Sequence, residues 1–452
     1  MAKPATQYSC QACGAVAARW LGRCTGCGAW NTLIEEAAPS RASRAAPARA
    51  ADVRAVSDID LDHAARIPTG IGELDRVLGG GAVLGAVTLV GGDPGVGKST
   101  LLMQALAGLA HAGHRCLYVS GEESASQTAA RARRLGAMAD DLLVLAETDL
   151  DTVERALGEV KPMAVVVDSV QTMRAASLES AAGTVSQLRE VASRMVERAK
   201  RDHFTTFLVG HVTKDGLLAG PKVLEHMVDT VLAFEGERGQ AFRALRTHKN
   251  RFGSATEVGV FEMTASGMRE VKCPSELFLA ERPRGASGSV VAATGEGTRA
   301  MLVEVQALVG PFAVGSARRT ANGVDGARLA MILAVLERKA GLALAGADVF
   351  LNIAGGVRVD EPAIDLPMAL AVASSLRERA VDGGTVAFGE VGLAGEVRGV
   401  ARSQQRLAEA ASMGFRRAIV PASAADIGAP EGLTLVPVRT IEEAIGEAIL
   451  VV

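Results

Sequence analysis

Short unbroken apolar runs alternate along much of this chain with segments whose apolar residues recur at helical spacing. That is the pattern of strands buried on both faces and covered by helices. In "AVTLVGGDPGVGKSTLLMQALAGLA" (86–110) an apolar strand runs into a glycine-rich loop and then a helical repeat. "RCLYVSGEES" (115–124), "KPMAVVVDSV" (161–170) and "FTTFLVGH" (204–211) are further apolar strands, each ending on polar groups. "TVLAFEGERGQAFRAL" (230–245) reads as two strands joined by a polar turn, and the second leads into "THKNRFG" (247–253). From about Glu276 the pattern is again mixed. Strands are predicted at "GSVVAA" (288–293), "AMLVEVQALV" (300–309) and "VFLNIAGG" (349–356), and helices over 325–341 and 365–379. "TVAFGEVGLAGEVRGV" (385–400) offers two more strands before a helix and "RAIVPAS" (417–423). Alternating elements of this kind indicate two α/β units.

The first unit carries the clearest chemistry. Gly92, Asp93, Pro94, Gly95, Val96, Gly97, Lys98, Ser99 and Thr100 follow a strand and open a helix, the context that gives a P-loop match its meaning. Its glycines let backbone N–H groups wrap phosphates at a helix N-terminus. Lys98 then reaches the β and γ oxygens of ATP, and the Ser99 hydroxyl binds Mg2+. Asp168, closing a buried strand, is the expected carboxylate that holds Mg2+ through its water shell. Glu122 is the candidate base that orients the attacking water, with Glu123 as helper, because both sit at the C-terminal edge of a parallel sheet. The competing reading is that both simply favour the start of the next helix. His211 ends another strand, where its imidazole either senses the γ-phosphate or is an ordinary strand-end histidine.

At the N-terminus, Cys10, Cys13, Cys24 and Cys27 form C-x2-C-x10-C-x2-C, a spacing that allows four thiolates to meet one tetrahedral Zn2+. Both tryptophans, Trp20 and Trp30, sit beside it. About 36 residues bury too little surface to fold unaided, so metal supplies much of the folding free energy. A two-disulfide framework is the alternative. "AAPSRASRAAPARAADVRAV" (37–56) then reads as a flexible, mildly basic linker. The remaining cysteines, Cys116 and Cys273, read as ordinary small buried residues.

Composition limits the picture more than it extends it. The 452 residues are 48% hydrophobic, with a formal net charge of −3. Real cores are possible, but no whole-chain field draws nucleic acid or an anionic membrane. The start "MAKPATQYSC" lacks an apolar signal region and no apolar run is long enough for a bilayer, so a cytoplasmic location is expected.

"TGIGELDRVLGGGAVLGAVTLVGGDPGVGKST" (69–100) resembles the RecA-like ATPases. The four-cysteine finger, "HVTKDGLLAGPKVLEHMVD" (211–229) and "KNRFG" (249–253) narrow the resemblance to the bacterial RadA/Sms DNA-repair proteins, nearly end to end. Some loop residues, such as Ala182, depart from the family pattern without touching the phosphate chemistry. The C-terminal part resembles the proteolytic domain of Lon-type proteases in "DEPAIDLPMA" (360–369) and "GEVGLAGEVRGVARSQQRL" (389–407). At the positions of the Lon nucleophile and its lysine partner stand Ala363 and Gln404. A methyl group cannot attack a carbonyl and an amide cannot serve as the base, so this domain reads as a protease-dead scaffold.

The expected fold is therefore α/β: a RecA-like P-loop ATPase core with an N-terminal four-cysteine zinc finger and a C-terminal α/β Lon protease-like domain. The expected boundaries are 1–36 for the finger, 37–58 for the linker, 59–273 for the ATPase and 274–452 for the Lon-like domain. The resemblance implies a homo-hexamer that binds nucleotide between subunits. It further implies a DNA motor acting on single-stranded and branched DNA in concert with the RecA recombinase. Lys249 and Arg251 are then candidates for a cation lent to the neighbour's γ-phosphate, with Lys249 favoured there; either could instead face a DNA phosphate. Arg174, Lys214 and Lys222 lie in two loops without aromatic residues, which suits backbone tracking of DNA, and Arg318 with Arg319 could add to it. A KaiC-like signalling ATPase without DNA, and an ATP-dependent protease, are the other classes weighed.

Overall fold

The structure, a computed structural model, describes residues 6–10, 15–37, 66–210, 223–235, 242–283, 285–297, 299–312 and 317–449. It divides into two compact units, Met1–Glu270 and Val271–Val452.

Within the first unit the cysteine-rich module is a three-stranded antiparallel sheet in the order Val16–Ala17, Thr6–Cys10, Leu33–Ala37. Its buried core is Cys10, Cys24 and Leu33, too little apolar matter to hold a fold by itself.

The larger part of this unit is a nine-stranded sheet. Six strands are mutually parallel, in the order Thr230–Glu235, Val87–Gly91, Thr205–Val209, Ala164–Asp168, Cys116–Ser120 and Leu142–Ala146. Phe242–Asn250, Val258–Thr264 and Gly267–Glu270 extend it antiparallel beyond Thr230–Glu235. The four central strands are buried throughout, which is why they read as continuous apolar runs. Successive side chains serve opposite faces: Val165 and Val167 join one core with helix Val185–Asp202, while Ala164 and Val166 join the other with helix Lys98–His111. Leu142–Ala146, an edge strand of half-buried residues, was not read from the sequence.

The second unit holds a mixed seven-stranded sheet, ordered Arg319–Asn322, Ala347–Ile353, Arg299–Phe312, Ser289–Glu296, Thr385–Ala387, Arg417–Pro421, Thr434–Val438. Helix Asp365–Leu376 is buried at every position from Asp365 to Ser374, as its apolar composition requires. Segment 385–400 departs from the expected two strands. Thr385–Ala387 joins the main sheet, and a separate hairpin pairs Glu390–Val391 with Val397–Arg398 around Gly395, whose φ is +89°. Cys273 also corrects the reading from sequence: it is exposed, at the start of helix Pro274–Leu279, whereas Cys116 is buried as expected.

Candidate active site

The loop after Val87–Gly91 leads into helix Lys98–His111, whose first residue follows Gly97 at φ 116° with no side-chain cap. Uncapped N–H groups at a helix start favour a phosphate. Gly92 is needed for its geometry, since a Cβ there would lie 2.9 Å from Phe234 Cβ, at φ +147°. Lys98 is buried, and its Nζ donates to Gly92 O at 2.6 Å and Asp93 O at 3.0 Å, so the ammonium lies inside the curl of the loop. Burial pushes its pKa down, against the charges of Asp168, Asp93 and Glu122, which push it up.

Asp168 ends its strand beside this loop, separated from the P-loop strand by Thr205–Val209 alone. The next strand out, Cys116–Ser120, delivers Glu122 and Glu123. These carboxylates do not cap the following helix, because Ser124 does so in a capping box with Gln127. Ser169 Oγ donates to Glu122 Oε1 at 2.6 Å, and Glu123 Oε2 lies 3.1 Å from Arg131. The two glutamates are thus held by different partners. Gly121 must be glycine, since a Cβ there would fall 2.1 Å from Thr172 Oγ1.

Two residues that sequence reasoning passed over complete the site. Tyr118 is fully buried in an otherwise apolar strand and its hydroxyl donates a short hydrogen bond to Asp168 Oδ2. Burial first, then the Asp168 charge, raise its pKa and keep the phenol protonated as a donor. Arg131 donates to the Tyr118 oxygen at 2.9 Å, lies 3.8 Å from Asp168 Oδ2, and places its guanidinium 5.4 Å from the Tyr118 ring centroid. One cation therefore ties Glu123 to the Asp168 carboxylate through a phenol. A hydroxyl inside the apolar run "CLYVS" is the signal that could have found it.

The donor set fits a magnesium nucleotide. The P-loop N–H groups and Lys98 would hold the phosphates, Ser99 and Asp168 the Mg2+. When bound, the metal supplies charge neutralisation on the β and γ oxygens.

Lys249 and Arg251 lie at the other end of the sheet. Thr230 pairs with both Thr88 and Asn250, which sets "KNRFG" beside the start of the strand whose far end carries the P-loop. Five residues of strand separate the ends by about 13 Å. Lys249 Nζ donates to Glu225 O and Val228 O, each at 2.7 Å, and holds the carbonyl end of helix Val223–Met227. Burial and the neighbouring Arg251 lower its pKa. Arg251 is half exposed and pairs with Asp229 at 3.3 Å. Asn250 binds Val77 O and Leu78 O, so the motif also fastens the sheet to helix Gly72–Leu78.

Of the DNA-loop candidates, Arg174 is exposed and its backbone pairs with Thr148 and Leu150. The turn after it is organised by buried Gln187, whose amide donates to Leu178 O and Ser180 O and accepts from Ala175 N. His211, Lys214 and Lys222 lie outside the described residues.

Among the metal candidates, Cys10, Cys24 and Cys27 bring their sulfurs within 4.8 Å of one another; Cys13 is outside the described residues. Cys10 and Cys27 Sγ are 3.7 Å apart. A disulfide needs about 2.05 Å, whereas two thiolates on one zinc at 2.3 Å sit about 3.8 Å apart. The donors fit Zn2+.

In the second unit Ala363 is buried in the core and Gln404 is exposed on helix Ser403–Ser412. Two residues from each, buried Arg406 grips Glu361 at 2.6 and 2.7 Å, donates to Ala293 O and Ala401 O, and lies over Phe388. Arg318, though exposed, makes a double contact with Asp348. Hydrogen bonds from the Arg318 backbone and side chain hold that carboxyl below its ordinary range.

A glycine loop between strand and helix, a buried lysine within it and a carboxylate two strands away define a P-loop ATPase core of the RecA-like type, accompanied by a zinc ribbon and a second α/β domain. Three family models match the chain: an AAA domain over residues 54–217, a rubredoxin metal binding domain over 8–35, and subunit ChlI of Mg-chelatase over 327–424. Similar full-length proteins include DNA repair protein RadA of Halalkalibacterium halodurans, 48% identical over 98% of this chain and 99% of the relative. DNA repair protein RadA of Bacillus subtilis is 47% identical and that of Pseudomonas aeruginosa 50%, each over 98% of this chain and 99% of the relative. The chain belongs to the RadA family of DNA repair proteins.

Proposed function

We propose that this chain is an ATP-driven DNA motor of homologous recombination and DNA repair, which loads on single-stranded DNA and extends heteroduplex by branch migration. The observation that carries the reading is the joint presence of a P-loop with Lys98 in its curl and Asp168 beside it, and end-to-end similarity to proteins named for DNA repair. In this reading Lys98 and Ser99 grip phosphate and Mg2+, Asp168 holds the metal, and Glu122, steadied by Ser169, orients water. His211 senses the γ-phosphate.

A homo-hexamer with sites between subunits accounts for a basic motif set at the sheet edge opposite its own P-loop. Arg251, half exposed, suits delivery to a neighbour or to a DNA phosphate. Lys249 reaches a nucleotide only by leaving the Glu225 and Val228 carbonyls. Arg174, Lys214, Lys222 and Arg318 are the DNA-contacting residues of this reading, and the RecA recombinase is the working partner. The motor works in the cytoplasm; no helix among the described residues is long and apolar enough to cross a membrane. Reading the second unit as a protease-dead scaffold rests on the buried methyl of Ala363 and on Gln404. The domain limits 1–36, 37–58, 59–273 and 274–452 belong to the same proposal.

The test is phosphate release with and without single-stranded DNA, beside extension of a three-strand junction. Stimulation by DNA with ATP-dependent extension supports the motor. A rate indifferent to DNA, with no extension, favours a signalling ATPase.

A further inference from the structure

Trp20 and Trp30 are the chain's only tryptophans. They are also the only aromatic side chains among the strongly exposed large hydrophobic residues described, at 53% and 69% exposure. Both lie on the finger, and their rings converge: a Cβ built on Gly22 would stand 3.7 Å from Trp20 Cη2 and 3.8 Å from Trp30 Cζ3. The backbone that holds them is set by the second cysteine turn. Arg23 bridges Trp30, Asn31 N donates to Gly22 O at 2.8 Å, and Cys24 N donates to Ala29 O at 2.8 Å. The indoles are therefore presented on a frame that the metal turn stiffens, at little cost in side-chain freedom.

Charge on the finger is segregated in the same direction. Arg19 and Arg23 are exposed beside the indoles, with the Arg23 guanidinium 5.8 Å from the Trp30 ring centroid. The only acidic residues in its described part, Glu35 and Glu36, pair with Tyr8 and Gln7 at the far end of the small sheet from Cys10 and Leu33. Flat π-faces flanked by guanidinium groups match unpaired bases on an anionic backbone.

We infer that the aromatic end of the finger is a stacking site for unpaired nucleic-acid bases. The inference rests on the DNA reading above and adds to it a contact that the cation-bearing loops do not offer, since Arg174, Lys214 and Lys222 lie in stretches without aromatic residues. The finger reads bases by their faces, and sequence is not discriminated.

Because no other tryptophan exists, intrinsic indole emission reports on this site alone. The experiment titrates the zinc-loaded full chain with oligo(dT) and follows emission, while anisotropy of a labelled oligo(dT) follows total binding. Emission should be quenched in step with binding, and an abasic oligonucleotide of equal length should leave it unchanged. Trp30→Ala should weaken oligo(dT) binding about tenfold, with zinc content and DNA-free ATP hydrolysis unchanged, and Trp30→Phe should restore most of it. If oligo(dT) binds while emission stays constant, or if the abasic strand quenches equally, the stacking site is wrong and the DNA reading survives. Quenching by a protein partner but not by oligo(dT) makes the patch a protein interface and overturns the inference as well. Absence of any oligonucleotide binding removes both readings.

Discussion

The two α/β units bury polar groups in opposite ways. In the nucleotide unit Tyr118 and Ser169 donate hydrogen bonds to Asp168 and Glu122, and Arg131 forms an ion pair with Glu123, at the C-terminal edge of a parallel sheet. In the second unit Arg406 and Glu361 close on one another and on backbone groups, beside the positions where a Lon-type nucleophile and lysine would stand. The first arrangement holds acids poised for a ligand. The second consumes its own charge, and what it gives is cohesion. On the proposed reading of the second unit as a protease-dead scaffold, a sheet-and-helix frame outlives the chemistry it once suited, provided that its buried polar groups find each other.

Substitutions can break this contrast. Lys98→Ala should lower ATP turnover by roughly three orders of magnitude, because among the described residues Lys98 is the cation inside the P-loop curl, while the melting temperature of the unit stays nearly unchanged. Phosphate release and calorimetry check the two halves. Glu122→Gln should cost about 100-fold or more in turnover while nucleotide still binds, as a fluorescent ATP analogue would show; normal turnover would reassign the base. Arg406→Ala should do the reverse. Stranding Glu361 in a largely buried place should destabilise the second unit by about 3 kcal/mol, or roughly 6–12 °C, with ATP binding untouched.

Finer effects sharpen the comparison. Tyr118→Phe removes the donor to Asp168 and leaves the ring, so the Mg2+ concentration for half-maximal nucleotide binding should shift several-fold with little loss of stability. A change confined to stability would make the phenol a packing residue only. The smallest effect is expected at Asp348. Its pKa is depressed below the ordinary 3.8, so its contribution to stability is present above about pH 4 and disappears as the pH falls through the depressed value. Arg318→Ala should flatten that stretch of an acid titration followed by circular dichroism.

The sequence displayed the frame of both units because central strands buried on two faces must be apolar throughout. The P-loop was equally plain, since a fixed spacing of glycines, lysine and serine has few other uses. Arg131, Ser169 and Gln187 were not legible for the opposite reason: each acts on a partner up to 47 positions away, and no local pattern marks such a pairing, while Tyr118 left only a hydroxyl in an apolar run as its trace. "KNRFG" was legible as a cluster of cations, but its grip on Val77, Leu78, Glu225 and Val228 needed the fold. Cys273 misled because a lone cysteine is usually buried, whereas this one stands between exposed Lys272 and the first residue of helix Pro274–Leu279.

Gln187 stands on helix Val185–Asp202 and dictates the course of the turn at 175–180 through main-chain atoms alone. Because the template reads no side chain, residues such as Ser177 and Glu179 can drift without unravelling the curve. New contacts can therefore be tried out on that turn, generation after generation, at small structural risk.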